Sequence, residues 1–76
     1  MDEDRVNTHE ERRALGAKIR RLRAEQGLTQ RKLALMIGAN HSTLGKIEAG
    51  RVNFMFDKLE RIADALGVNV KDLFDF

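Results

Sequence analysis

Apolar side chains recur along most of the chain at the spacing of helices with one buried face. Leu15, Ile19 and Leu22 stand at i, i+4 and i+7, behind a capping box made by Thr8 and Glu11. This predicts a first helix from about His9 to Gln26, stopped by Gly27 in a left-handed cap. Thr29 caps a second helix that turns Leu33, Ala34 and Ile37 inward and stops at Gly38. Asn40 caps a third, with Leu44 and Ile47 inward, ending at Gly50. Phe56, Leu59, Ile62, Ala63 and Leu66 trace a fourth stripe closed by Gly67. Asn69 and Asp72 repeat the capping box for a final short helix carrying Leu73 and Phe76. Alternating strand patterns, proline, internal repeats and low-complexity linkers are all absent, so the expectation is an all-α fold of five helices.

Composition narrows what such a fold can do. Seventy-six residues hold one core, and of the 42% that are apolar, eight are alanine, which leaves little bulk to line a deep active-site cavity. Without cysteine there is no disulfide framework and no thiolate zinc site. No apolar run approaches the roughly 20 residues that span a bilayer, and the N-terminus MDEDRVNTHEE is acidic where a secretory signal is basic and then apolar. A soluble, cytoplasmic protein is expected.

The net charge of +2 conceals a polarised chain. Residues 1–11 carry −4 and residues 52–76 carry −2, whereas residues 12–51 hold ten bases against Glu25 and Glu48, a block of +8. That is the electrostatic footprint of a polyanion binder, with a solvated basic face as the neutral alternative.

Residues 30–49 carry the most information. A helix-turn-helix needs a small residue at its fifth position, a glycine-like turn at the ninth and apolar side chains at the fourth, eighth, fifteenth and eighteenth. Counted from Gln30, these are Ala34, Gly38, Leu33, Ile37, Leu44 and Ile47, and every one fits. These are packing constraints, which any tight helical hairpin shares.

The runs LTQRKLALMIG, NHSTLGKIEAG and LERIADALGVNVKDLF resemble the phage-repressor and Cro-type XRE family of prokaryotic regulators across roughly Leu15 to Phe74. The chain is also similar to the family's single-domain dimeric members, including controller proteins of restriction–modification operons. The resemblance implies a five-helix lambda-repressor-like DNA-binding domain whose third helix enters the major groove. It assigns His41, Ser42 and Lys46 to base readout, Thr43 to a phosphate or base contact, and Gln30 to a backbone phosphate at the positive end of the second helix. It pairs Arg23 with Glu48 in a bridge that presents the recognition helix, leaving Arg23 also able to touch phosphate, and Arg51 becomes a phosphate contact. Arg20, Arg31 and Lys32 are weaker candidates. For each residue the alternative is a solvated helix face.

Several features depart from the family pattern. Gly45 interrupts the recognition helix, which either shortens its reading surface or permits close approach to DNA. Met55 stands where relatives place a Ser or Thr cap, Phe54 replaces a common proline, and residues 1–8 form an acidic arm ahead of the domain at residues 9–76. All four aromatics lie at or beyond residue 54. Phe56 and Phe74 are expected in the core, and Phe54, Met55 and Phe76 are candidates for a homodimer interface that would set two recognition helices about 34–36 Å apart on an inverted repeat.

With His9 the only other histidine and no carboxylate pair at ligand spacing, His41 has no partners for a metal, and no cofactor is expected. No nucleophile constellation or phosphate loop supports an enzyme. The lone domain carries no ligand module, so no small-molecule effector is expected. An antitoxin or protein-interaction module of the same fold is the competing reading, against which the basic block argues.

Overall fold

Local capping chemistry sets the helix ends in the computed structural model, which describes residues 9–53 and 55–76. The acidic arm at residues 1–8, with its Thr8 cap, and Phe54 lie outside the described residues. Helix α1 is His9–Glu25, α2 Gln30–Ile37, α3 His41–Glu48 and α4 Phe56–Leu66. A 3-10 helix, Val70–Phe74, follows, and no strand occurs among the described residues. The all-α expectation holds, but the fifth element is a 3-10 turn rather than an α-helix. The Asn69 N–H still donates to Asp72 Oδ2 at 2.9 Å, a contact that a single tight turn satisfies as well as an α-helix does.

The turn between α2 and α3 depends on both of its caps. The Lys32 N–H donates to Thr29 Oγ1 at 3.0 Å, and the Thr43 N–H to Asn40 Oδ1 at 2.8 Å. Between them Gly38 adopts φ +73°, and the Ala39 N–H closes on the Ala34 carbonyl at 2.9 Å. This brings Leu33, Ala34 and Ile37 against Leu44 and Ile47 of α3, all buried. Leu15 and Ile19 of α1, the α4 stripe of Leu59, Ile62, Ala63 and Leu66, and Leu73 complete one core. The Gln26 side chain ties the end of α1 to α4, donating to the Leu66 carbonyl at 2.7 Å.

Phe56 departs from expectation, since it is 65% exposed rather than in the core. It opens α4 one turn before Leu59, and helical side chains lean toward the N-terminus, so its ring projects past the end of the packed layer. Phe74 is half-buried against the core. No helix among the described residues is long and apolar enough to cross a membrane.

Two glycines set how closely α1 meets α3. A Cβ on Gly16 would lie 2.5 Å from the carbonyl oxygens of both Ile47 and Glu48. Gly50, at φ +74°, would place its Cβ 2.7 Å from Arg13 Cα, so both its backbone conformation and its surroundings demand glycine.

Candidate nucleic-acid interface

Helix α3 divides its residues by face. Leu44 and Ile47 are sealed in the core, while His41, Ser42 and Lys46 are exposed and Thr43 is half-buried at the helix start. Arg51, just past the helix, is exposed, and its N–H donates to the Lys46 carbonyl at 2.9 Å. Ser42 Oγ donates to Asn40 Oδ1 at 3.0 Å, sharing that cap oxygen with the Thr43 N–H. The three residues assigned to base readout therefore share one solvent-facing surface, backed by two core side chains.

A chain of polar contacts runs under this surface. Arg23 Nε and Nη2 donate to Glu48 Oε2 and Oε1 at 2.7 and 3.1 Å, a bidentate pair joining α1 to the last residue of α3. The remaining terminal nitrogen, Nη1, donates to the Leu28 carbonyl at 2.7 Å. The Arg23 side chain is 13% exposed, and its three guanidinium nitrogens all donate within the domain. Gln30 Nε2 donates to Glu48 Oε1 at 3.0 Å, and Gln30 Oε1 lies 3.1 Å from His41 Nε2. The guanidinium, carboxylate, amide and imidazole thus link α1, α2 and both ends of α3. The Gln30 amide retains one N–H, which is the group a phosphate would require.

Arg20, Arg23, Gln30, Gly45, Glu48 and Ala49 line an open recess of about 380 Å³ between α1, α2 and α3. Gly45 leaves it unobstructed, because a Cβ there would meet nothing nearer than Gln30 Oε1 at 3.9 Å. Arg31 and Lys32 are exposed on the first turn of α2. Met55 and Phe76, two of the residues assigned to a dimer contact, are 64% and 62% exposed. No group of three or more His, Asp or Glu among the described residues is placed to hold a metal ion.

Sequence reasoning did not identify the Gln30 contacts or the close approach at Gly16. The only available signal for Gly16 was a glycine inside a helical stripe, which costs stability unless packing requires it.

A family model described as helix-turn-helix matches residues 19–73. The control protein C.BamHI of Bacillus amyloliquefaciens is 37% identical over 70 residues, which span 91% of this chain and 86% of that protein. The crystal structure of the restriction-modification controller protein C.AhdI from Aeromonas hydrophila superposes with a TM-score of 0.83 at 31% identity, covering 86% of this chain and 98% of that one. The clp gene regulator ClgR from C. glutamicum gives a TM-score of 0.81 at 36% identity, covering 83% and 81%.

Proposed function

The chain belongs to the helix-turn-helix family of XRE-type transcriptional regulators, and from that premise we propose that it binds double-stranded DNA sequence-specifically as a homodimer. Helix α3 enters the major groove, with His41, Ser42 and Lys46 reading bases while Gln30, Thr43 and Arg51 hold phosphate. The observation that carries this reading is the division of α3 into a core-locked face and an exposed polar face within a chain segment of charge +8. Residues 9–76 act as one domain whose C-terminal end supplies the dimer contact, supported by the exposure of Met55 and Phe76 and joined by Phe56 at 65%. The similarity to two controller proteins over most of their lengths supports a controller role, with operator occupancy following protein concentration and no small-molecule effector.

Selection from a random duplex pool should recover an inverted repeat with half-sites about one DNA turn apart. Two cation contacts per protomer, Arg51 and one of Arg20, Arg31 or Lys32, give four per dimer. The logarithm of affinity should then fall with the logarithm of salt at a slope near −3.6, about a hundredfold between 50 and 200 mM. Recovery of no motif with a flat salt dependence would end the DNA-binding reading. A monomer in sedimentation at tens of micromolar, with and without DNA, would end the dimer.

Gly45 supplies a separate test. Gly45→Ala meets no obstruction in the folded domain and should stabilise it by about 0.5–1 kcal/mol, raising Tm by about 2–8 °C. If the DNA backbone approaches this recess, the same variant should bind DNA at least several-fold more weakly. A higher Tm with unchanged affinity would remove Gly45 from the interface.

A further inference from the structure

Gln30 opens α2 and His41 opens α3, and their side chains meet across the turn. The protons along this contact chain can be assigned from its buried end. Glu48, held by two N–H groups of Arg23, is a carboxylate and only accepts. The Gln30 atom 3.0 Å from Glu48 Oε1 is therefore the amide nitrogen, which turns the amide oxygen toward His41 Nε2 at 3.1 Å. An amide oxygen also only accepts, so Nε2 carries the hydrogen. In a neutral imidazole this leaves a bare lone pair on Nδ1. His41 is exposed, and no described residue hydrogen-bonds Nδ1.

We propose that Gln30 fixes His41 as a hydrogen-bond acceptor toward DNA, so that the first position of the recognition helix selects an exocyclic amino group, adenine N6 or cytosine N4. The inference rests on the proposed docking of α3 in the major groove. Guanine shows acceptors at N7 and O6 on that edge, and two acceptors facing each other repel. A histidine free to exchange tautomers has no such bias, because the other neutral form donates from Nδ1. Gln30 is thus a positioning residue for base choice, and its second amide N–H remains available to the phosphate assigned to it. One side chain can couple register on the backbone to identity at the adjacent base.

The first experiment needs no DNA. Ring-nitrogen shifts from long-range proton–nitrogen correlation at pH 8, assigned by the loss of signal in His41→Gln, should show the Nε2–H form in the wild-type protein. In Gln30→Met, which keeps the side-chain volume and removes the amide, the two tautomers should mix. An Nδ1–H ring, or equal mixing in the wild type, overturns the proposal.

The second experiment compares selected duplexes. At the one base whose preference His41→Ala erases, the wild type should favour adenine or cytosine over guanine by about tenfold. Gln30→Met should weaken binding to every duplex through the lost phosphate contact, and beyond that uniform loss it should reduce the preference at this base to within about threefold while the ratios at the other bases persist. A wild-type preference for guanine at that base overturns the proposal even if the ring is Nε2–H. Failure of every variant and the wild type to select any motif is a distinct result, which removes the DNA-binding reading and this proposal with it.

Discussion

Glu48→Ala should lower the unfolding free energy by about 3 kcal/mol, whereas Glu25→Ala should change it by no more than about 0.5 kcal/mol. Both are glutamates at the end of a helix, and both pair with an arginine of α1. Glu25 lies 3.6 Å from Arg21 with both side chains about three-fifths exposed, so water replaces the interaction at almost no cost. The Glu48 side chain is 3% exposed and Arg23 is 13% exposed. Removing Glu48 leaves the guanidinium with only the Leu28 carbonyl and the Gln30 amide without its acceptor. Residual water access to Arg23 sets the expectation at the lower end of the range for a broken buried pair. A domain of this size has roughly 4–11 kcal/mol of stability, so the loss is a large fraction of the whole. Denaturant unfolding of the two variants is the measurement, and equal losses would mean that the bridge does not hold α3.

The consequence for function follows from where Glu48 sits. It is the last residue of α3, and through Gln30 it also reaches His41 at the first. A protein lacking this carboxylate would have the same exposed residues on α3, presented by a helix that keeps its apolar packing through Leu44 and Ile47 but has lost its side-chain tie to Arg23 and Gln30. DNA affinity should therefore fall in Glu48→Ala even at temperatures where the variant is folded.

The parts of this architecture that were legible in the sequence are those set by neighbouring residues. Thr29, Asn40 and Gly38 announce the helix-turn-helix because a cap needs a partner only three residues away and a left-handed turn needs one glycine. The spacing of Leu33, Ala34, Ile37, Leu44 and Ile47 then fixes which face of each helix is buried. Phe56 misled because a stripe has no marked end: periodicity extends to a residue that lies beyond the packed layer. Asn69 and Asp72 marked a helical start but not its type, since their contact spans a single turn. Arg23 and Glu48 were paired through family resemblance. The links from Gln30 to Glu48 and His41 cross 18 and 11 residues, and their distances depend on how α2 and α3 pack. Four polar residues spread over three helices carry no local sign that they share one hydrogen-bonded chain.

Gly16→Ala should destabilise the domain by about 2 kcal/mol, although the same substitution at Gly45 should stabilise it. Both glycines lie inside helices, and alanine improves either helix locally by about 0.5–1 kcal/mol. Their surroundings differ. At Gly45 the added carbon has ordinary clearance, nearly 4 Å from the end of a flexible side chain. At Gly16 it meets two backbone carbonyl oxygens at 2.5 Å and the Glu48 carbonyl carbon at 2.8 Å, and none of these can rotate aside. Relief requires α1 and α3 to separate by close to 1 Å, an overpacking cost of about 3 kcal/mol that exceeds the gain in helix propensity. The separation also moves Arg23 away from Glu48, since these two join the same pair of helices. Gly16→Ala should therefore lose DNA affinity and stability together, while Gly45→Ala should separate them. Thermal melts and DNA titrations of the two variants side by side test this, and a Gly16→Ala protein as stable as the wild type would show that α1 and α3 do not need a glycine to meet.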